Sequence, residues 1–213
     1  MLLGDDEEVP VEHVRLNLVT TDPARLEDAV KYLEHEAREV VEQEPGNLGL
    51  SVSVNELGAA AIASYWVSGD AMRESAKHVA PLRDEVLFRG LGTVSSEHLE
   101  VSSIVRVARP QAWSGVRVTR ADIDPERVDD AIANYEDSAL PWYTETEGFC
   151  TALLFVERRR GRAIMETTWR DTDALVGSRG AEAGIRVDAV AATGAEIRAL
   201  EEYRLVFSSA SLG

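Results

Sequence analysis

The chain has 213 residues, 38 of them acidic and 22 basic, for a formal charge of −16. Such a surface repels polyanions, whereas nucleic-acid binding needs a positive footprint. No apolar run approaches the ~20 residues of a membrane span. The opening MLLGDDEEVP lacks the basic start and apolar stretch of a secretory signal. A short frayed leader and a soluble, cytoplasmic protein are therefore expected. Residues 14–20 set Val14, Leu16 and Leu18 against Arg15 and Asn17, the period of a half-buried strand. Asp22 caps a helix with Pro23 in its first position. Leu26, Ala29, Val30, Leu33, Ala37, Val40 and Val41 form its apolar stripe, and Glu44-Pro45-Gly46-Asn47 stops it. Residues 48–54 and 59–67 read as a hairpin about a turn at 55–58. A helix starts at Asp70 and runs to about His78. Pro81 ends or kinks it, and residues 82–91 read as a further helical piece. Residues 99–107 read as a closing strand.

Residues 108–112 read as a linker, after which the pattern restarts. At an offset of 102, Asp124-Pro125 falls on Asp22-Pro23, Arg127 on Arg25 and Gly148 on Gly46. Beyond the hairpin turn the offset becomes 103, placing Gly161 on Gly58, Trp169 on Trp66 and Asp173 on Asp70. Near-constant offsets at caps, turns and strand ends point to an internal duplication, with repeats over 11–107 and 113–209. Each repeat reads β-α-β-β-α-β, the ferredoxin-like order of an α+β fold. Each half would leave one bare sheet face. Two antiparallel sheets facing one another as a barrel, helices outside, cover both faces within one chain. This intrachain pseudo-dimer leaves room for a further homodimer.

The hairpin carries a specific resemblance. Glu147-Gly148-Phe149, Leu153-Leu154, Gly161-Arg162, Thr168-Trp169 and Asp173 resemble the antibiotic-biosynthesis-monooxygenase-like family of dimeric α/β-barrel proteins. Glu44-Pro45-Gly46, Leu50 and Trp66 give a weaker copy, and the ending Ala192-Thr193-Gly194-Ala195 with Leu200-Glu201-Glu202-Tyr203 is similar to that of actinobacterial members. The resemblance implies a small-molecule protein. It points to a cofactor-independent monooxygenase of electron-rich aromatics or quinols, in which substrate anion meets oxygen directly. A non-catalytic barrel binding a hydrophobic metabolite or a protein partner is the alternative, and haem binding or degradation a third.

The candidate residues follow from that chemistry. Asn17 is polar in an apolar strand, where asparagine is disfavoured. Haem-degrading and quinol-oxidising members have an asparagine at a similar place, which implies orientation of substrate or oxygen; a hydrogen bond within the barrel is the plainer role. Thr119 stands there in the second half. Trp66 and Trp169 line a pocket or pack under the following helix, and Tyr65 points opposite to Trp66. His78 is a base, an axial haem ligand or a solvent-facing helix-end residue. The tryptophan that haem-degrading members carry near it is absent from 72–75. Arg15 and Arg117 suit a carboxylate or enolate, or pair with nearby acids. Trp142 and Tyr143, after Pro141, cap a ligand cavity or fill a helix kink. Glu166 is an acid within a strand, a polar oddity. Cys150 is a small strand residue, and the lone cysteine excludes an internal disulfide. Four histidines at 13, 35, 78 and 98 are too scattered for a zinc site. Neither metal nor cofactor is expected. The expected partner is a small-molecule ligand, with no nucleic acid and no membrane.

Overall fold

Eight strands form in the computed structural model, which describes residues 10–211. The short leader, 1–9, lies outside the described residues. The strands are β1 (His13–Thr20), β2 (Asn47–Val54), β3 (Ala59–Trp66), β4 (Thr93–Arg106), β5 (Gly115–Asp122), β6 (Phe149–Glu157), β7 (Arg162–Trp169) and β8 (Glu196–Ser208). They close into one antiparallel barrel in the order β1-β3-β2-β8-β5-β7-β6-β4. The expected pair of facing sheets is thus a single barrel, joined edge to edge at β2–β8 and β4–β6. The last strands of each half are longer than their alternation implied because each serves two neighbours. β4 pairs with β1 along Thr93–Glu100 and with β6 along Glu100–Arg106. β8 pairs with β5 and then, from Arg204 onward, with β2. Closure leaves no sheet edge exposed.

The helices lie outside. α1 (Leu26–Tyr32) and α2 (Arg38–Glu42) flank a π-helical turn, Leu33–Ala37. α3 (Gly69–Glu74) and α4 (Ala76–Phe88) follow the hairpin. In the second half α5 (Val128–Asn134) and α6 (Leu140–Glu145) flank a second π turn, Tyr135–Ala139, and α7 (Thr172–Thr193) follows β7. Asp22 and Asp124 cap the 3-10 turns Pro23–Arg25 and Pro125–Arg127 that lead into α1 and α5, accepting from Ala24 and Glu126 N–H at 2.8 and 3.0 Å. Pro81 neither ends nor divides its helix but sits inside α4. The break is at Ser75, where the Ser75 hydroxyl and the Arg15 guanidinium both donate to the Met72 carbonyl. Side-chain donors thus take an acceptor that would otherwise serve the helix ladder.

Three apolar cores result: one between sheet and helices in each half and one inside the barrel. The matching turns are held by Gly58 and Gly161, at φ +87° and +64°. A Cβ on Gly161 would fall 1.8 Å from the Ile123 carbonyl oxygen, and one on Gly58 would fall 2.2 Å from that of Thr21. Gly161→Ala is therefore expected to lose at least about 1–2 kcal/mol. Urea denaturation checks it, the midpoint falling while the slope is unchanged.

Candidate functional site

On β1, period two turns Arg15, Asn17 and Val19 toward the helices, where they line a cavity of about 60 Å³. Tyr32, Leu33 and Ala37 border it from α1 and the π turn; Val79, Leu82, Arg83 and Val86 border it from α4. The π turn therefore sits on the cavity wall, a common place for such turns. The walls are aliphatic, and the polar groups gather at Arg15, Asn17, Ser64, Tyr32 and Arg83. The Asn17 Oδ1 is buried and accepts no hydrogen bond.

Arg15 is 4 % exposed. It donates to the Met72 carbonyl and to Ser75 Oγ at 2.9 Å, and its guanidinium lies 5.2 Å from the centre of the Trp66 ring. Among the described residues no carboxylate lies within 4.0 Å of it. Burial, and then repulsion from Arg83, pull its pKa down to about 10, against a smaller opposing pull from Glu44. At neutral pH it remains a buried cation without a counter-ion, which is costly unless an anion arrives.

The second half shows what is missing. Arg117 donates to the Leu175 carbonyl and to Ser178 Oγ, both at 2.8 Å, matching the Met72 and Ser75 contacts at the offset of 103. Arg117 also pairs with Glu182, and with Glu202 at 2.7 Å. At the same helical offset Glu182 corresponds to Val79. In the sheet register Glu202 faces Arg117 as His98 faces Arg15. The first half thus keeps the arginine and its scaffold but has neither acid. The second cavity, about 290 Å³, has Thr119, Tyr135 and Tyr143 among its lining residues. The hydroxyls of these three residues are buried without partners. Arg186 and Asp188 also line this cavity, one charge of each sign, where the charged residues lining the first cavity are both cations, Arg15 and Arg83.

The remaining candidates fall in three places. Trp66 and Trp169 are fully buried under the following helices, donating to Ser64 Oγ at 3.1 Å and Thr167 Oγ1 at 3.2 Å. Neither lines its cavity; Trp66 acts on the first only through the face it presents to Arg15. Trp142 packs edge-on to Tyr143 at 5.0 Å and against Trp169 at 6.3 Å. His78 is exposed, its Nδ1 2.9 Å from Glu44 Oε1, and does not line the cavity. Tyr65 faces the barrel lumen, as its opposition to Trp66 required, 3.5 Å from the Ser51 hydroxyl. Sequence reasoning missed His98 and Arg83. His98 is held below the ordinary histidine pKa by desolvation and by Arg15, Arg83 and Arg73. Its only sequence signal is alternation along β4, which becomes informative once the register with β1 is known.

Glu166 also faces the lumen, and burial raises its carboxyl to about 7. A raised carboxyl binds protons in the folded state that the unfolded chain has released. Stability from this group is therefore lost as pH rises from the ordinary carboxylate range through about 7. Glu166→Gln is expected to leave stability unchanged near about pH 4 and to raise it by up to about 3 kcal/mol near about pH 8. Thermal melts across that range check the crossover.

Among the described residues no helix is long and apolar enough to cross a membrane. No family model matches the chain. It is 31% identical over 152 residues to the uncharacterized protein Rv2557 of Mycobacterium tuberculosis (strain ATCC 25618 / H37Rv), covering 71% of this chain and 68% of that one. The crystal structure of an anthrone oxidase-like protein superposes with a TM-score of 0.69 at 15% identity, covering 95% of this chain and 93% of the other. A ferredoxin-fold protein related to antibiotic biosynthesis monooxygenases, from Listeria monocytogenes 4b F2365, superposes with a TM-score of 0.54 at 9% identity, covering 94% and 98%. The chain belongs to the family of Rv2557, and its fold is that of the antibiotic-biosynthesis-monooxygenase-like proteins of the dimeric α/β-barrel superfamily.

Proposed function

We propose that the first-half cavity binds an aromatic organic anion and that the protein is a cofactor-independent monooxygenase of an electron-rich, anthrone- or quinol-type molecule. One observation carries this: Arg15 is a buried cation without a carboxylate, beside an apolar cavity, where its second-half counterpart has two. A phenolate or enolate supplies the missing charge. Arg15 lowers the substrate's own pKa by binding its anion, Trp66 holds the guanidinium in place, and Asn17 Oδ1 accepts a hydrogen bond from a substrate hydroxyl. His98 stands across the strand pair from Arg15 but does not line the cavity, and neither do His78 and Tyr65, so the substrate's proton is lost to solvent as Arg15 binds the anion. The aliphatic wall keeps water from the anion. For an anthrone the balance is one O2 consumed. The reacting CH2 becomes a carbonyl with one oxygen atom, and the other leaves as water with the two hydrogens. We further propose that 11–107 and 113–209 are duplicated repeats whose pseudo-dimer replaces a homodimer, freeing one cavity to specialise.

A second reading, a non-catalytic carrier, is favoured by the absence of His, Asp and Glu from the residues lining the cavity. The same absence argues against an axial haem ligand there. Oxygen uptake with anthrone and the protein, without added metal or flavin, separates the two main readings. Uptake above the blank that falls in Arg15→Met is the expected result. Anaerobic binding of anthrone with uptake equal to the blank supports the carrier and ends the oxygenase reading.

A further inference from the structure

We propose that one end of the barrel lumen is a second binding site, for a small zwitterion of the α-amino-acid type, with its ammonium on Glu166 and its carboxylate on Arg106 and Arg109. The site shares no residue with the first-half cavity and does not depend on how that cavity is read. It is a void of about 180 Å³, room for a small molecule only. Hydroxyls wall it: Ser51, Tyr65, Thr151, Thr168 and Ser208 all line it. At the other end of the lumen Arg120 is paired with Glu97 and Glu201, whereas the polar groups at this end are left for an occupant that hydrogen-bonds.

The charges state what kind. Among the described residues Glu166 has no ion pair and no hydrogen bond, and neither guanidinium, Arg106 or Arg109, meets a carboxylate. In a chain with 38 acids and 22 bases, an arginine that finds no acid is an exception. Glu166 stands at the inner end of the void, for it also lines the cavity on the far side of the lumen. The arginines stand at the rim, where the linker residue Pro110 and the tail residue Ser211 meet. Arg106 is level with Thr151 in the register, and Thr151 with Thr168. Glu166 is two residues from Thr168, about 7 Å along the strand, and Arg106 is two strand spacings, about 10 Å, across the sheet from Thr168. Arginine side chains and a short zwitterion span those steps. A simple cation must pass the arginines, and a simple anion must approach Glu166. A molecule with both charges, amine leading, satisfies each end.

The test is calorimetric titration of the full chain at neutral pH with each free L-amino acid in turn, and with methylamine and acetate as half-probes. At least one amino acid should bind, one molecule per chain, with each half-probe weaker by about tenfold or more. Glu166→Gln and the surface double variant Arg106→Ser/Arg109→Ser should each weaken that binding by about tenfold or more. The double variant alters only exposed side chains, so it reports even if the lumen variant fails to fold. No binding of any amino acid up to about 10 mM overturns the proposal, and so does binding that survives the double variant.

Discussion

Arg117→Met is expected to lower the thermal midpoint by about 6–20 °C, corresponding to a loss of about 3–5 kcal/mol. Methionine fills much of the space but leaves Glu182, fully buried, with only Arg186 at 3.2 Å and the Ser178 hydroxyl at 3.3 Å. Burial already holds the Glu182 carboxyl above the ordinary range against the pull of Arg117 and Arg186. Without Arg117 it rises further. A raised folded pKa means stability is lost as pH increases above the unfolded carboxylate value, and the variant loses more than the native protein does. Glu202 adds in the same direction. Arg179 and Arg117 hold its carboxyl below the ordinary range, so it contributes stability above the unfolded value that the variant partly forfeits. The deficit should be smallest in acid and grow toward neutrality, in melts run from about pH 4 to about pH 8. Arg15→Met removes an equivalent side chain but strands no acid, and the Ser75 hydroxyl still satisfies the Met72 carbonyl at 2.9 Å. Its cost should stay within about 2 kcal/mol. Equal losses in the two variants would show that the missing counter-ions do not distinguish the halves.

Features set by neighbours in sequence were legible before any coordinates. Asp22 before Pro23, Gly58 at its turn and Trp66 at a strand end each declare a local geometry, and Asp124, Gly161 and Trp169 show the same geometry. The exception is instructive. Pro81 looked like a helix end because it lacks an N–H, yet the ladder is interrupted at Ser75, through a carbonyl claimed by Arg15 sixty residues earlier. Asn17 was visible because a lone amide in an apolar strand is conspicuous. The charge state of the site was not, because it depends on partners far along the chain. Arg117 meets Glu202 across 85 residues, and only the barrel register reveals that His98 stands where the first half would need an acid. The π turns were invisible for another reason. Leu33 and Ala37 fit an ordinary apolar stripe, and the widened turn between them does not disturb it.

If Arg15 recruits anions because it lacks a counter-ion, supplying one should close the site. Val79 is 7 % exposed, lines the cavity and lies four residues after Ser75, as Glu182 lies after Ser178. Val79→Glu therefore rebuilds the second-half pair in the first half. Val79→Gln has nearly the same shape without the charge and controls for lost volume. The aromatic anion 8-anilinonaphthalene-1-sulfonate should bind the Glu variant about 10–100-fold more weakly than the Gln variant, the range expected for losing a charge-assisted contact. The neutral N-phenyl-1-naphthylamine should bind both alike, since the aliphatic walls are common to both. In the native protein, anion binding should hold from neutral pH upward and be lost as pH passes about 10, where Arg15 gives up its proton. Stability should change little, because a buried pair roughly offsets its own desolvation. Equal affinity of the two variants for the sulfonate would mean that cavity shape, not the bare cation, selects the ligand, and the monooxygenase proposal would lose its electrostatic basis.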